Sequence, residues 1–236
     1  MQDSLTLPAH FSGPPGSANG GYTCGRVAGL LGAEVAEVSL RSPPPLERAL
    51  TVARADGGVV VSDGETLVAE ARPAELLMDV PDALSVAEAR EASRAGERHW
   101  CEFHPFPGCV VCGPERDAGD GYRMFPGEVE DGLFASVWEP NPSLAGDDGC
   151  VAPECVWAAL DCPTSAPVAN FATGPPIVLA RLTARLGCPV HAGEEHVVLS
   201  WPVEVDGRKR HGAAALYDSQ GRLLAASRAL WIELRA

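Results

Sequence analysis

Gly149–Ser165 reads GCVAPECVWAALDCPTS, and how these residues are read decides the fold. The apolar run Val156–Leu160 is followed at once by a carboxylate, Asp161. A segment apolar almost all round is predicted to be a buried helix. Pro153 suits the first turn of that helix and Pro163 stops it, which places it over Pro153–Cys162. A carboxylate there must be paired, protonated or functional, because burying it without a partner costs several kcal/mol. The expected architecture is therefore α+β, with two antiparallel sheet segments wrapped around this helix and a counterpart near the N-terminus. Asp161 is the expected acid/base or nucleophile.

The counterpart lies at Asn19-Gly20-Gly21. Asn19 is a good N-cap and Gly32 a good residue to end on, so Gly20–Leu31 reads as a helix. Gly25 and Gly29, four apart, define a face where another backbone could come close. Ala33–Leu40, Ala49–Ala55, Gly58–Ser62 and Thr66–Arg72 read as strands, with Asp63-Gly64 as a hairpin turn. Ser85 and Glu88 form a capping-box signature for a surface helix that links two halves. Leu133–Glu139, Ile177–Leu186, His196–Val205, Gly212–Tyr217 and Arg222–Leu234 are further strands. The expected division is an N-terminal half over 1–80, a linker helix over 81–100 and a C-terminal half over 101–236. A short repeat supports two halves: Leu67–Arg72 (LVAEAR) matches Leu223–Arg228 (LLAASR), each after a glycine turn.

Composition narrows the function. The 236 residues carry a net charge of −14, which disfavours nucleic-acid and anionic-membrane partners. At 46% hydrophobic residues the chain can fill a core, yet no run is long enough to span a membrane. The start, MQDSLTLPAHFSG, lacks the pattern of a signal peptide. A cytoplasmic location is expected, with the eight cysteines as thiols; Cys155 and Cys162 read as small hydrophobes. Alanine, glycine and arginine richness suggests a bacterial source of high GC content.

CVVCGPERDAGDGYRMFPG, the helix ending in ALD, and LARLTARL with GRKRHGAAALYDSQGRLLAASRALW resemble the hotdog-fold acyl-CoA thioesterases of the PaaI-like group. GPPGSANGGY resembles that group's loop before its helix. The resemblance implies a tandem, double-hotdog chain in which one unit supplies backbone N–H groups and the other a helix carboxylate. The family spacing from loop to acid is eight. In the second half Asp161 is present, but Pro153, Glu154 and Cys155 stand where the glycine loop belongs. In the first half Asn19, Gly20 and Gly21 are present, but Val27 stands in the acid's place. Crossing the halves leaves one complete site, from Asn19, Gly20, Gly21 and Asp161, and one empty one. Glu154, the rival carboxylate, reads as a helix-start residue.

The resemblance implies hydrolysis of an acyl thioester, with the Gly20 and Gly21 amides polarising the carbonyl and Asp161 attacking or activating water. Asn19 would cap its helix or orient water, and Thr164 and Ser165 would bind water or the carboxylate. Taken alone, Asn-Gly-Gly is most simply a turn and one buried Asp a structural hydrogen-bond acceptor. No cofactor is expected beyond coenzyme A as part of the substrate. Arg208, Lys209 and Arg210, beside His211, could meet its phosphates or simply tip a hairpin. Cys101, His104, Cys109 and Cys112 offer zinc-compatible ligands, but their gap is short and two prolines interrupt it. The resemblance implies a packed turn at Cys-x-x-Cys-Gly, so no metal is expected. A hydratase or dehydratase would need a histidine near Asp161, with His10 and His104 as candidates, and a ligand-binding protein without catalysis is the non-enzyme alternative. Open sheet edges suggest a homodimer.

Overall fold

Helix α1 (Gly20–Leu31) starts where Asn19 caps it: the Asn19 carbonyl oxygen of the side chain accepts the Tyr22 N–H at 2.8 Å. It ends on Gly32, whose φ of 70° is the left-handed conformation that suits glycine. The computed structural model describes residues 3–130 and 132–235. Their strands are β1 (Asp3–Leu5), β2 (Val35–Leu40), β3 (Leu50–Ala55), β4 (Gly58–Asp63), β5 (Thr66–Pro73), β6 (Gly127–Glu130), β7 (Leu133–Trp138), β8 (Ile177–Leu186), β9 (His196–Asp206), β10 (Lys209–Tyr217) and β11 (Leu223–Glu233). Most lie where alternation of apolar and polar residues placed them. The exceptions, β1 and β6, are edge pieces too short to show a period.

All eleven described strands form one antiparallel sheet in the order β1-β3-β4-β5-β2-β8-β11-β10-β9-β7-β6. The order is palindromic about the β2–β8 seam, where Val38 faces Leu182. Moving outward, β5 answers β11, β4 answers β10, β3 answers β9 and β1 answers β7. The repeated LVAEAR and LLAASR segments occupy equivalent strands, β5 and β11. A helix precedes each seam strand: α1 precedes β2, and α3 (Pro153–Ala159) precedes β8. Both helices bury apolar residues in one core that includes Cys24, Val27, Val156 and Leu160 against Val38, Leu182 and Leu216 of the sheet. Each such fully buried side chain contributes about 1.5–3 kcal/mol.

The segment around Asp161 departs from expectation. The helix does not run on to Cys162: α3 ends at Ala159, Leu160 is its C-cap, and a separate 3-10 turn covers Cys162–Ser165. Pro163 has no N–H to give a carbonyl one turn back, and it disfavours helical geometry in the residue before it. Asp161 therefore sits in a break, at the N-cap of the 3-10 turn, instead of on a helix face.

The close approach of α1 and α3 also differs. A Cβ on Gly29 would meet nothing within 4 Å. Gly21 and Gly25 are the pair that admits α3: a Cβ on Gly25 would stand 2.5 Å from Glu154 Cα, and one on Gly21 would stand 2.7 Å from the Trp157 carbonyl oxygen. Helix α2 (Val86–Phe103) has the expected Ser85–Glu88 capping box, but it is more than a solvated surface helix. Ala89, Ala92, Gly96 and Trp100 form a buried stripe. Ala89 and Ala92 join Ala135 of β7, Leu199 of β9 and Ala215 of β10 in a second apolar cluster. Three of the four stripe residues are small, so the stripe lacked the bulky residues that signal a buried face.

Candidate active site

Asp161 is 1% exposed. Its Oδ2 accepts the Gly21 N–H at 2.7 Å and the Asn19 side-chain N–H at 3.3 Å. Its Oδ1 has no partner among the described residues. Burial pushes the carboxyl up to about 8, opposed by the Gly21 N–H and the Asn19 amide and reinforced by nearby Cys109. That range suits a proton acceptor working near neutrality.

The first unpaired N–H groups of a helix attract anions. Here the carboxylate has taken one of them, so the Gly21 amide, expected to hold a substrate carbonyl, is already occupied. The Gly20 N–H has no acceptor among the described residues. Asn19 caps α1 with its oxygen as expected, and its nitrogen, expected to orient water, reaches Asp161 instead.

Asn19, Gly20 and Asp161, but not Gly21, line a cavity of about 500 Å³ whose wall is mostly apolar. Gly20 and Leu40 come from the first half, Asp161, Leu179 and Trp231 from the second, and Trp100 from α2. Ser165 also lines it, although its hydroxyl donates to the Cys162 carbonyl at 2.7 Å. Thr164 does not. Its hydroxyl donates to the Asp161 carbonyl at 2.6 Å and accepts the Trp231 indole N–H at 2.8 Å, which secures the turn behind the acid.

Arg208, Lys209 and Arg210 are absent from the cavity wall. Arg208 donates to the Glu233 carbonyl, Arg210 pairs with the Glu233 carboxylate, and Lys209 lies 3.7 Å from Asp206. Lys209 and Arg210 stand on β10 opposite the cavity-lining Ile232 and Trp231, and Arg208 lies in the turn before that strand. Arg41 lines the cavity instead, paired with Glu70 at 2.9 Å. Glu154 pairs loosely with Arg26 at 3.7 Å, as a helix-start residue would. Val27, on the side expected to be empty, is packed in the core. His10 is at the surface beside Asp120.

The four expected zinc-compatible residues do not assemble. Cys101 is exposed on α2, away from the others. Cys162 takes its place: the sulfurs of Cys109, Cys112 and Cys162 lie within 4.8 Å of one another, all buried. Cys162 is thus more than a small hydrophobe. Hydrogen bonds from Cys112 and Cys162 hold Cys109 well below the ordinary thiol range, while burial and the Cys109 sulfur push Cys112 and Cys162 up. His104 also lines the cavity, and burial lowers its pKa to about 4, leaving the ring neutral. Cys162 was invisible as a member because 49 residues separate it from Cys112, and only proximity to Asp161 marked it.

No protein-family model matches the chain, and neither does any curated protein. Among solved structures, the tesB protein of Mycobacterium avium subs paratuberculosis matches over 98% of this chain and 91% of its own, with TM-score 0.63 at 11% identity. A conserved protein of unknown function with a hot dog fold from Alicyclobacillus acidocaldarius matches over 99% and 93%, with TM-score 0.61 at 12% identity. The chain has the hotdog fold. A third match, from Lactobacillus plantarum and given provisionally as an oleoyl thioesterase, covers 100% of this chain and 96% of its own, with TM-score 0.58 at 7% identity. At such identities only the fold carries over, and chemistry has to be argued from residues. No described helix is long and apolar enough to cross a membrane.

Proposed function

We propose that this hotdog chain hydrolyses a small acyl thioester, with Asp161 as the base and Gly20 as the backbone donor to the carbonyl. The observation that carries the reading is the buried Asp161 carboxylate, with one oxygen unpartnered at a mostly apolar cavity beside the start of α1. Oδ2 is held by Gly21 and Asn19, so the carboxylate keeps a fixed orientation. Oδ1 is then free to take the proton of an attacking water, which adds to the thioester carbon and expels the thiolate. The Gly20 N–H, at the positive end of α1, meets the oxygen on which charge develops. The apolar wall suits the acyl chain, and Arg41 at the rim, with Arg208–Arg210 one strand away, suits the anionic end of a coenzyme A ester.

The palindromic sheet supports two hotdog units in one chain with one working site between them. The open edges at β1 and β6 support a homodimer, which light scattering would read. A second reading, a binding protein without catalysis, is favoured by one contact: the Asp161–Gly21 bond caps α1 and uses the amide a substrate would want.

A hydrolysis screen over short, long, branched and aromatic acyl-CoAs separates the two. Cleavage of at least one ester is expected, falling by ~10²–10⁴-fold in Asp161→Asn with acyl-CoA binding retained. No cleavage of any ester by the unmodified chain leaves only the binding reading.

A further inference from the structure

The three cysteines beside Asp161 form a buried cluster that the proposed hydrolysis does not use. Cys109 and Cys112 come from the turn after α2, and Cys162 opens the 3-10 turn next to the acid. Cys109 Sγ and Cys162 Sγ stand 3.7 Å apart. A disulfide would need about 2 Å. Two thiolates on one tetrahedral zinc ion, at ~2.3 Å each, stand about 3.8 Å apart. The observed spacing of a thiol–thiol contact is one that two thiolates on a shared metal could keep without the sulfurs moving.

The surroundings are built for sulfur anions. Cys109 and Cys112 stand on one tight turn, so their sulfurs come close together. Gly113 N–H closes that turn on the Cys109 carbonyl at 2.9 Å. The Asn19 side-chain N–H lies 3.8 Å from Cys109 Sγ and 3.7 Å from Cys162 Sγ. His104 Nδ1 accepts the Phe106 N–H at 2.8 Å, so the neutral ring carries its proton on Nε2, 3.1 Å from Cys112 Sγ. Every sulfur thus faces an N–H donor. Such donors are the outer-shell partners that orient thiolate ligands and hold them on a metal. Three thiolates brought together in so small a space would need a cation to offset their charge. Arg41 on the cavity wall is paired with Glu70.

We propose that Cys109, Cys112 and Cys162 bind one zinc ion as thiolates, with His104 and Asn19 as outer-shell donors and the fourth position open to the cavity. Three thiolates select a soft or borderline cation over magnesium or calcium. Each thiol gives its proton to solvent as it binds. The ion would join the turn after α2 to the turn that carries Asp161, fixing the acid's backbone from the side opposite Gly21. The site stands apart from the thioesterase reading, since its test reads metal and not activity.

The test uses the full chain, purified reduced, stripped with a chelator and titrated with zinc or cobalt alone. One equivalent is expected to bind, and cobalt should give near-ultraviolet thiolate-to-metal charge-transfer bands with intense visible bands. Zinc should shield three of the eight cysteines from a thiol reagent. Cys101→Ser, Cys150→Ser and Cys188→Ser should keep the metal. Cys109→Ser, Cys112→Ser and Cys162→Ser should lose it, and His104→Ala should bind ~10–100-fold more weakly. The cobalt spectrum of the unmodified chain reports sulfur ligation even if a serine variant fails to fold. A reduced chain that binds no stoichiometric metal, or a cobalt complex without thiolate bands, overturns the proposal, as does loss of metal in Cys101→Ser.

Discussion

Replacing Gly21 by alanine tests the contact on which the site depends. Gly21 lies inside α1 with ordinary helical geometry, so the backbone accepts alanine and only packing objects. The new methyl would lie 2.7 Å from the Trp157 carbonyl oxygen and 2.9 Å from Ala158 Cα, and closer still to Asp161 Cβ. Comfortable carbon contacts are ~3.5–4.0 Å, so α1 and α3 must separate by about 1 Å. None of these neighbours is the far end of a flexible side chain. Separation also stretches the 2.7 Å bond from Gly21 N–H to Asp161 Oδ2. Overpacking costs about 1–3 kcal/mol, and a weakened bond to a buried carboxyl about 1–3 kcal/mol. Alanine returns about 1 kcal/mol of helix propensity. The net expectation is a loss of about 1–5 kcal/mol. For a chain of this size that lowers the melting temperature by ~2–20 °C. Gly29 is the internal control, since a methyl there meets nothing within 4 Å. Gly29→Ala should stabilise by about 0.5–1 kcal/mol. Urea and thermal unfolding followed by circular dichroism read both. Gly21→Ala unfolding within ~0.5 kcal/mol of the unmodified chain, or Gly29→Ala losing as much as Gly21→Ala, would refute the assignment of the close contact.

Ser85→Ala removes the cap of α2, whose Oγ accepts the Glu88 N–H at 3.3 Å while Glu88 Oε2 accepts the Ser85 N–H at 2.9 Å. It should lower stability by about 0.5–2 kcal/mol; an unchanged urea midpoint would mean that packing alone starts the helix. His196 is buried with Nδ1–H donating to the Glu194 carbonyl at 2.9 Å, and burial lowers its pKa. The unfolded chain then takes up a proton below the ordinary imidazole range that the folded chain refuses, so stability should fall as pH drops through about 6.5. His196→Gln should flatten that part of the stability–pH curve; an identical curve assigns the loss to other groups.

Features governed by neighbours in the chain were legible before any fold was known. Asn19 and Gly32 bounded α1, Ser85 and Glu88 opened α2, and alternating residues marked the long strands, because caps and periods act over one or two turns. The paired segments at Leu67 and Leu223 likewise announced strands that the sheet places in equivalent positions. The meeting of Asn19 and Gly21 with Asp161 was anticipated only through a family spacing, since 140 residues separate Gly21 from the acid. Tertiary structure alone decided the rest. It chose Gly21 over Gly29 as the contact and brought Cys162 to Cys109 and Cys112 in place of Cys101. It also gave the Gly21 amide to the carboxylate. Each of these outcomes depends on which surfaces meet when two helices pack across a seam, and a linear order of residues does not encode that distance.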